Sequence, residues 1–124
     1  MDDEDFQRER RNERRFERMG TRTPRCPCCG ETSPECFEEH HIAGRRYDQD
    51  TTIFVSATCH LKLTELQKSH PMFDPNADPF LQSLAHFLLG LADMLELAMR
   101  KLREFAHALL HRARQDGSVT GEAK

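Results

Sequence analysis

Apolar residues crowd into the second half of the chain, where their spacing is helical. From Phe80 onward the polar positions Gln82, His86, Gly90, Asp93, Glu96, Arg100, Arg103, His107 and His111 recur at close to 3.6 residues. They form one narrow stripe. The remaining circumference, including Leu81, Leu84, Phe87, Leu88, Leu91, Leu95, Leu102, Phe105 and Leu109, makes a wide apolar face. The pattern predicts a helix over residues 80–114, about 50 Å long at about 1.5 Å per residue. The histidines on it read as interface or surface residues. Upstream, Pro71, Pro75 and Pro79 break any regular element, so residues 72–79 read as a rigid connector. Before it, Glu35 to Ile42 reads as extended and Ala43 to Asp50, with Gly44, as a loop. The β-branched run Thr51 to Ala57 reads as a second strand. A short helix follows, capped by Ser56 or Thr58, buried through Leu63 and Leu66, and stopped at Ser69-His70-Pro71.

Length and charge constrain this picture. With 124 residues and 14.4 kDa there is room for one compact domain plus an appended element. The expected class is α+β: a small finger at 24–71, a charged arm or helix at 1–23, the long amphipathic helix, and a disordered tail at 115–124. So small a finger cannot cover the apolar helix, which points to a homo-oligomer or a partner protein packed on it. Asp93, Glu96 and His86 interrupt the apolar stretch, so no membrane partner is expected. The net charge of −3 excludes a protein that coats nucleic acid by bulk electrostatics. Eight arginines lie between Arg8 and Arg25, but seven acids from Asp2 to Glu17 nearly cancel them, and the stretch reads first as a solvated face. The acidic start is unlike a secretory leader, which places the expected site of action in the cytoplasm. Five cysteines in a reducing compartment then point to metal rather than disulfides.

Two groups of residues carry candidate chemistry. Cys26-Pro27-Cys28-Cys29-Gly30 contains a C-x-x-C knuckle, the backbone shape that aims two thiolates at one zinc ion while amides point at the sulfurs. Cys59, at the start of the short helix, is the best third ligand. The position three residues before it is Ser56, a poor zinc ligand. The fourth place therefore falls to Cys36, preferred narrowly over Cys28, a water or a histidine. The second group is Glu38-Glu39-His40-His41-Ile42, with His60 following Cys59. Hydrolysis of a phosphodiester needs a base for water and a cation for the developing negative charge. Adjacent strand histidines point to opposite sides unless the strand ends or bulges, and Gly44 makes room for such a distortion.

Taken together, Cys26-x-x-Cys29-Gly30, Glu39-His40-His41-Ile42, Asp50-Thr51 and Cys59-His60 with Leu63-Thr64 resemble the HNH endonucleases, the ββα-metal or His-metal finger family. The stretch from Glu38 to Arg46 and the later Gln67-x-x-His70-Pro71 resemble one bacterial and archaeal subgroup. The resemblance covers Cys26 to about Pro71. It implies a metal-dependent endonuclease acting on nucleic acid, DNA foremost. His41 would be the general base, and His40 and His60 the ligands of a catalytic Mg²⁺ or other divalent ion. Cys26, Cys29 and Cys59 would belong to a structural Zn²⁺ site, with Glu38 or Glu39 orienting a histidine from behind. Two positions depart from the family: its central Asn is Asp50 or Thr51 here, and the first Cys of its second pair is Ser56. Arg45 and Arg46, in the loop after the base, are placed to grip phosphates. The competing reading is a zinc-stabilised nucleic-acid- or protein-binding module with no turnover.

Overall fold

The computed structural model describes residues 2–120, and side chains through residue 116. The chain forms a small α+β unit of three helices and one two-stranded sheet. Helix α1 (Asp3–Met19) starts where the Asp2 carboxylate accepts the Asp5 amide at 2.9 Å, and its first turn carries Asp3, Glu4 and Asp5 against the helix dipole. It ends at Gly20, whose φ of 73° closes the left-handed cap. No α1 residue is buried, and the helix touches the sheet through Arg18, whose guanidinium lies over Phe54 at 5.4 Å. The charged arm is thus a solvated helix.

A 3₁₀ turn, Pro34–Cys36, leads into strand β1 (Phe37–His41), which pairs antiparallel with β2 (Thr52–Ser56). The register sets Glu38 opposite Val55, His40 opposite Ile53 and His41 opposite Thr52. Side chains alternate across the sheet, so Glu38 and His40 share the face that α2 covers, and His41 shares the other with Glu39. Helix α2 (Ala57–Gln67) begins directly after β2, with Ser56 as its cap: the hydroxyl accepts the Cys59 amide at 3.2 Å. Leu63 is fully buried beneath the sheet beside Val55. Hairpin followed by helix is the order expected, and Leu66 is only half-buried.

Helix α3 (Pro79–Thr120) begins at Pro79 and runs past Arg114, where its end was expected; of the expected tail, 121–124 lie outside the described residues. At about 1.5 Å per residue its 42 residues span about 63 Å. By length and composition, Pro79–Asp116 could cross a membrane. Its docking uses polar and apolar residues side by side. Part of the polar stripe meets the finger together with Phe87, Leu91, Met94 and Leu97: His86 is 5% exposed, Gly90 is buried, and Asp93 is largely covered, whereas Leu81, Leu88, Leu95 and Leu102 are exposed. Gly90 is the reason the approach is so close. A Cβ there would lie 1.8 Å from the Ile42 carbonyl oxygen, far inside contact distance. Around it, His86 stacks on Tyr47 with centroids 3.7 Å apart, and His70 Nε2 meets Asp93 at 2.7 Å. His86 is therefore a core histidine rather than a surface one. Burial among these groups, with His70 nearby, lowers its pKa. Met94 and Leu97 complete the contact by joining the core of Val55, Leu63, Phe37 and Ile42.

Candidate metal centres

The knuckle forms a tight turn. Gly30, at φ 83°, donates its amide to the Cys26 carbonyl at 2.8 Å, while the Cys26 amide reaches the Glu31 carbonyl at 2.9 Å. This turn, with the first turn of α2, brings the sulfurs of Cys26, Cys29 and Cys59 within 4.8 Å of one another. Zinc–sulfur bonds of about 2.3 Å can close that spacing with small side-chain rotations, and three soft thiolates suit zinc. The surroundings favour a thiolate at Cys26. The Cys28 thiol donates to it, and the backbone amides of Ser56, Cys28 and Cys29 add to that, holding its pKa at about 4 against the opposing effect of burial. The same hydrogen bond raises the Cys28 pKa. Burial pushes the Cys59 thiol up to about 11, against the opposing hydrogen bond from Ser56 and with Cys29 and Cys26 adding to it.

Cys36 does not join the cluster. The 3₁₀ turn leaves it on the wall of a cleft of about 490 Å³ beside the cluster, which it shares with Cys29, Ser56, Cys59 and Arg100. Burial and the carboxylates of Glu31 and Glu35 raise its pKa, which disfavours the thiolate. Ser56 stands where the fourth ligand was sought. Its hydroxyl lies 3.3 Å from Cys29 Sγ while also capping α2. One oxygen thus serves both the helix and the cluster.

The histidines form a second group. His40 is 2% exposed, and its Nε2 is a buried polar atom without a hydrogen-bond partner among the described residues. The His60 ring stands edge-on to it, with centroids 5.5 Å apart. Burial, reinforced by His60 and His41, drives the His40 pKa down to about 4, so the ring is neutral and its nitrogen lone pair is available. Glu38 Oε2 meets His60 Nδ1 at 2.5 Å, leaving Nε2 as the nitrogen open to a ligand. The pattern of carboxylate, histidine and open nitrogen is that of a metal ligand backed from behind. Glu39 takes no part in it, since its carboxylate accepts from the Thr52 hydroxyl at 3.4 Å. His41 lies on the other face of β1. Its imidazole makes no hydrogen bond among the described residues, and the loop carboxylate of Asp48 is close enough to feel its charge.

Three residues without an assigned role hold this group in place. Asp48, rather than Asp50 or Thr51, ties the loop together: its carboxylate accepts the amides of Asp50 at 2.9 Å and Thr51 at 3.1 Å. The run Asp48-Gln49-Asp50-Thr51 carries the signal for it, a side chain that hydrogen-bonds the backbone two and three residues on. Gln67 Nε2 donates to the His41 carbonyl at 3.2 Å, pinning the end of β1 to the end of α2. His70 does the same for α3 through Asp93. Arg45 and Arg46 are both exposed, and the Arg46 guanidinium lies over the Phe73 ring, 3.9 Å from its centroid.

No family model, curated protein or solved structure matches the chain.

Proposed function

We propose that this protein is a metal-dependent phosphodiester hydrolase of the HNH type, acting on nucleic acid and on DNA foremost. The observation that carries the reading is the buried, unpartnered Nε2 of His40 beside a His60 ring whose other nitrogen is already held by Glu38. A buried polar atom left unpaired costs about 1–3 kcal/mol, a cost that a bound cation at this pair removes. His40 and His60 would hold a Mg²⁺ or similar divalent ion, which supplies Lewis-acid stabilisation of negative charge on the phosphate. Cys26, Cys29 and Cys59 would hold a separate Zn²⁺ that fixes the start of α2 and so the position of His60.

The chain's own residues supply the rest. His41, whose imidazole makes no hydrogen bond among the described residues, takes the proton from the attacking water, while Gln67 holds the His41 carbonyl and Asp48 holds the loop beyond it. The exposed guanidinium groups of Arg45 and Arg46 contact phosphates flanking the scissile bond. That local anchor matters in a chain of net charge −3.

Plasmid nicking with Mg²⁺, Mn²⁺ or Ni²⁺, compared between the wild-type chain and His41→Ala, tests the proposal. Cleavage should fall by at least about a hundredfold in the variant, the usual contribution of a general base. Equal cleavage would remove His41 from the reaction. A chain that carries full zinc and cleaves nothing would instead be the non-catalytic binding module, a reading favoured by Ser56 in the fourth position and by His41 lying across the strand from the histidine pair.

A further inference from the structure

With His86, Gly90 and Asp93 of α3 turned toward the finger, what remains on its outer side is a regular seam. Leu81, Leu88, Leu95, Leu102 and Leu109 recur every seven residues, and all five are between 56% and 70% exposed. Four residues after each leucine comes a second column of Ala85, Ala92, Met99, Ala106 and Ala113, also exposed. Alternating steps of four and three residues, sustained over four heptads, form the seam of a left-handed coiled coil and mark the missing partner as another helix. His86, Phe87, Gly90, Met94 and Leu97 face the finger on the opposite side, so the described residues leave the seam uncovered.

We propose that α3 pairs with α3 of a second copy of this chain as an antiparallel two-stranded coiled coil. The seam chooses the direction. In a parallel, in-register pair the alanine layers would face alanine and leave gaps between the leucine layers. In an antiparallel pair each small residue faces a leucine: Ala92 meets the partner's Leu109, Met99 the partner's Leu102, and Ala106 the partner's Leu95. That alignment also sets Glu96 beside the partner's Arg103 and, by two-fold symmetry, Arg103 beside the partner's Glu96. In the same flanking column Leu89 meets the partner's Leu110. A slip of one heptad would bring Glu96 against the partner's Glu96, so charge selects a single register. Within one chain Glu96 already reaches Arg100 at 3.2 Å, while Arg103 pairs with no acid among the described residues and awaits one from outside.

Sedimentation equilibrium of the full chain over a range of concentrations, with phosphatidylcholine vesicle flotation alongside, tests this. The wild type should be a dimer that does not float. Glu96→Arg and Arg103→Glu should each weaken dimerisation on the order of tenfold, because each turns two attractive contacts into repulsive ones. The double variant carrying both reversals should restore it. Leu95→Glu should give a monomer whose sheet-and-α2 finger remains folded by near-ultraviolet circular dichroism. A monomer at every concentration, a dimer indifferent to both charge reversals, or a chain that floats with vesicles would each overturn the proposal.

Discussion

Glu38 and His60, twenty-two positions apart in sequence, meet through a carboxylate oxygen and Nδ1 at 2.5 Å. The contact crosses from β1 to α2 and fixes which imidazole nitrogen is left open. Glu38→Ala should therefore weaken binding of a divalent ion such as Ni²⁺ at the histidine pair by about 10- to 100-fold. Stability should change by less than about 1 kcal/mol, since the pair is partly exposed. Titration calorimetry with zinc already bound at the thiols checks the affinity, and denaturant melts check the stability; unchanged affinity would show that Glu38 does not support His60 as a ligand.

Ser56 occupies the place of a fourth thiol, 3.3 Å from Cys29 Sγ. Ser56→Cys should complete a four-thiolate site and tighten zinc retention against a chelator by about tenfold or more, given that outer contacts alone are worth about 10- to 100-fold. The metal-free variant should be less stable than wild type by about 1 kcal/mol, because the helix cap is lost. Zinc release kinetics and metal-free melting curves separate the two effects, and equal release rates would place Ser56 outside the metal's reach.

His40 is buried neutral with a pKa of about 4, against an ordinary value near 6.5. Its folded pKa lies below its unfolded one, so the unfolded chain binds more protons between those values. Stability is then intact above about pH 6.5 and drains as pH falls toward 4, by about 3 kcal/mol in the metal-free protein. His40→Phe should flatten that decline. Denaturant melts of the metal-free chain between pH 4 and 7.5 give the measurement; parallel slopes for variant and wild type would assign the acid sensitivity to another group.

Gly90 admits the Ile42 carbonyl where no side chain fits. Gly90→Ala should lift α3 from the end of β1 and cost about 3 kcal/mol, the upper range for an overpacked contact. The gain in helix propensity, about 1 kcal/mol, would be hidden beneath that loss. A variant more stable than wild type would mean that α3 does not dock here.

Several elements were legible because local chemistry alone decides them. The β-branched run at Thr52–Ser56, a cap at Ser56 or Thr58 and a helix end before Pro71 needed no tertiary knowledge, though the structure was required to choose Ser56 and to place the end at Gln67. The nearness of Cys26, Cys29 and Cys59 followed from knuckle and helix-start geometry in the same way. The orientation of α3 did not, because a stripe of His86, Gly90 and Asp93 looks solvent-facing until Tyr47, the Ile42 carbonyl and His70 are known to lie opposite it. Cys36 was overvalued for a similar reason: proximity in sequence says nothing about a 3₁₀ turn that leaves it on the wall of the cleft but outside the group formed by Cys26, Cys29 and Cys59. Asp48 was passed over in favour of its neighbours, since several acids and hydroxyls in one loop compete for the same backbone amides.

From Leu102 to Asp116 every residue of α3 is exposed. A lone helical segment of about fifteen residues is marginal in water, because tertiary packing supplies most of a helix's stability. Amide protons along this stretch of a single chain should therefore exchange with solvent far faster than those between His86 and Leu97, where the finger holds the helix. One continuous helix thus carries two stabilities, a protected half set by the chain's own fold and an exposed half whose persistence, under the proposed pairing of two copies, should depend on protein concentration.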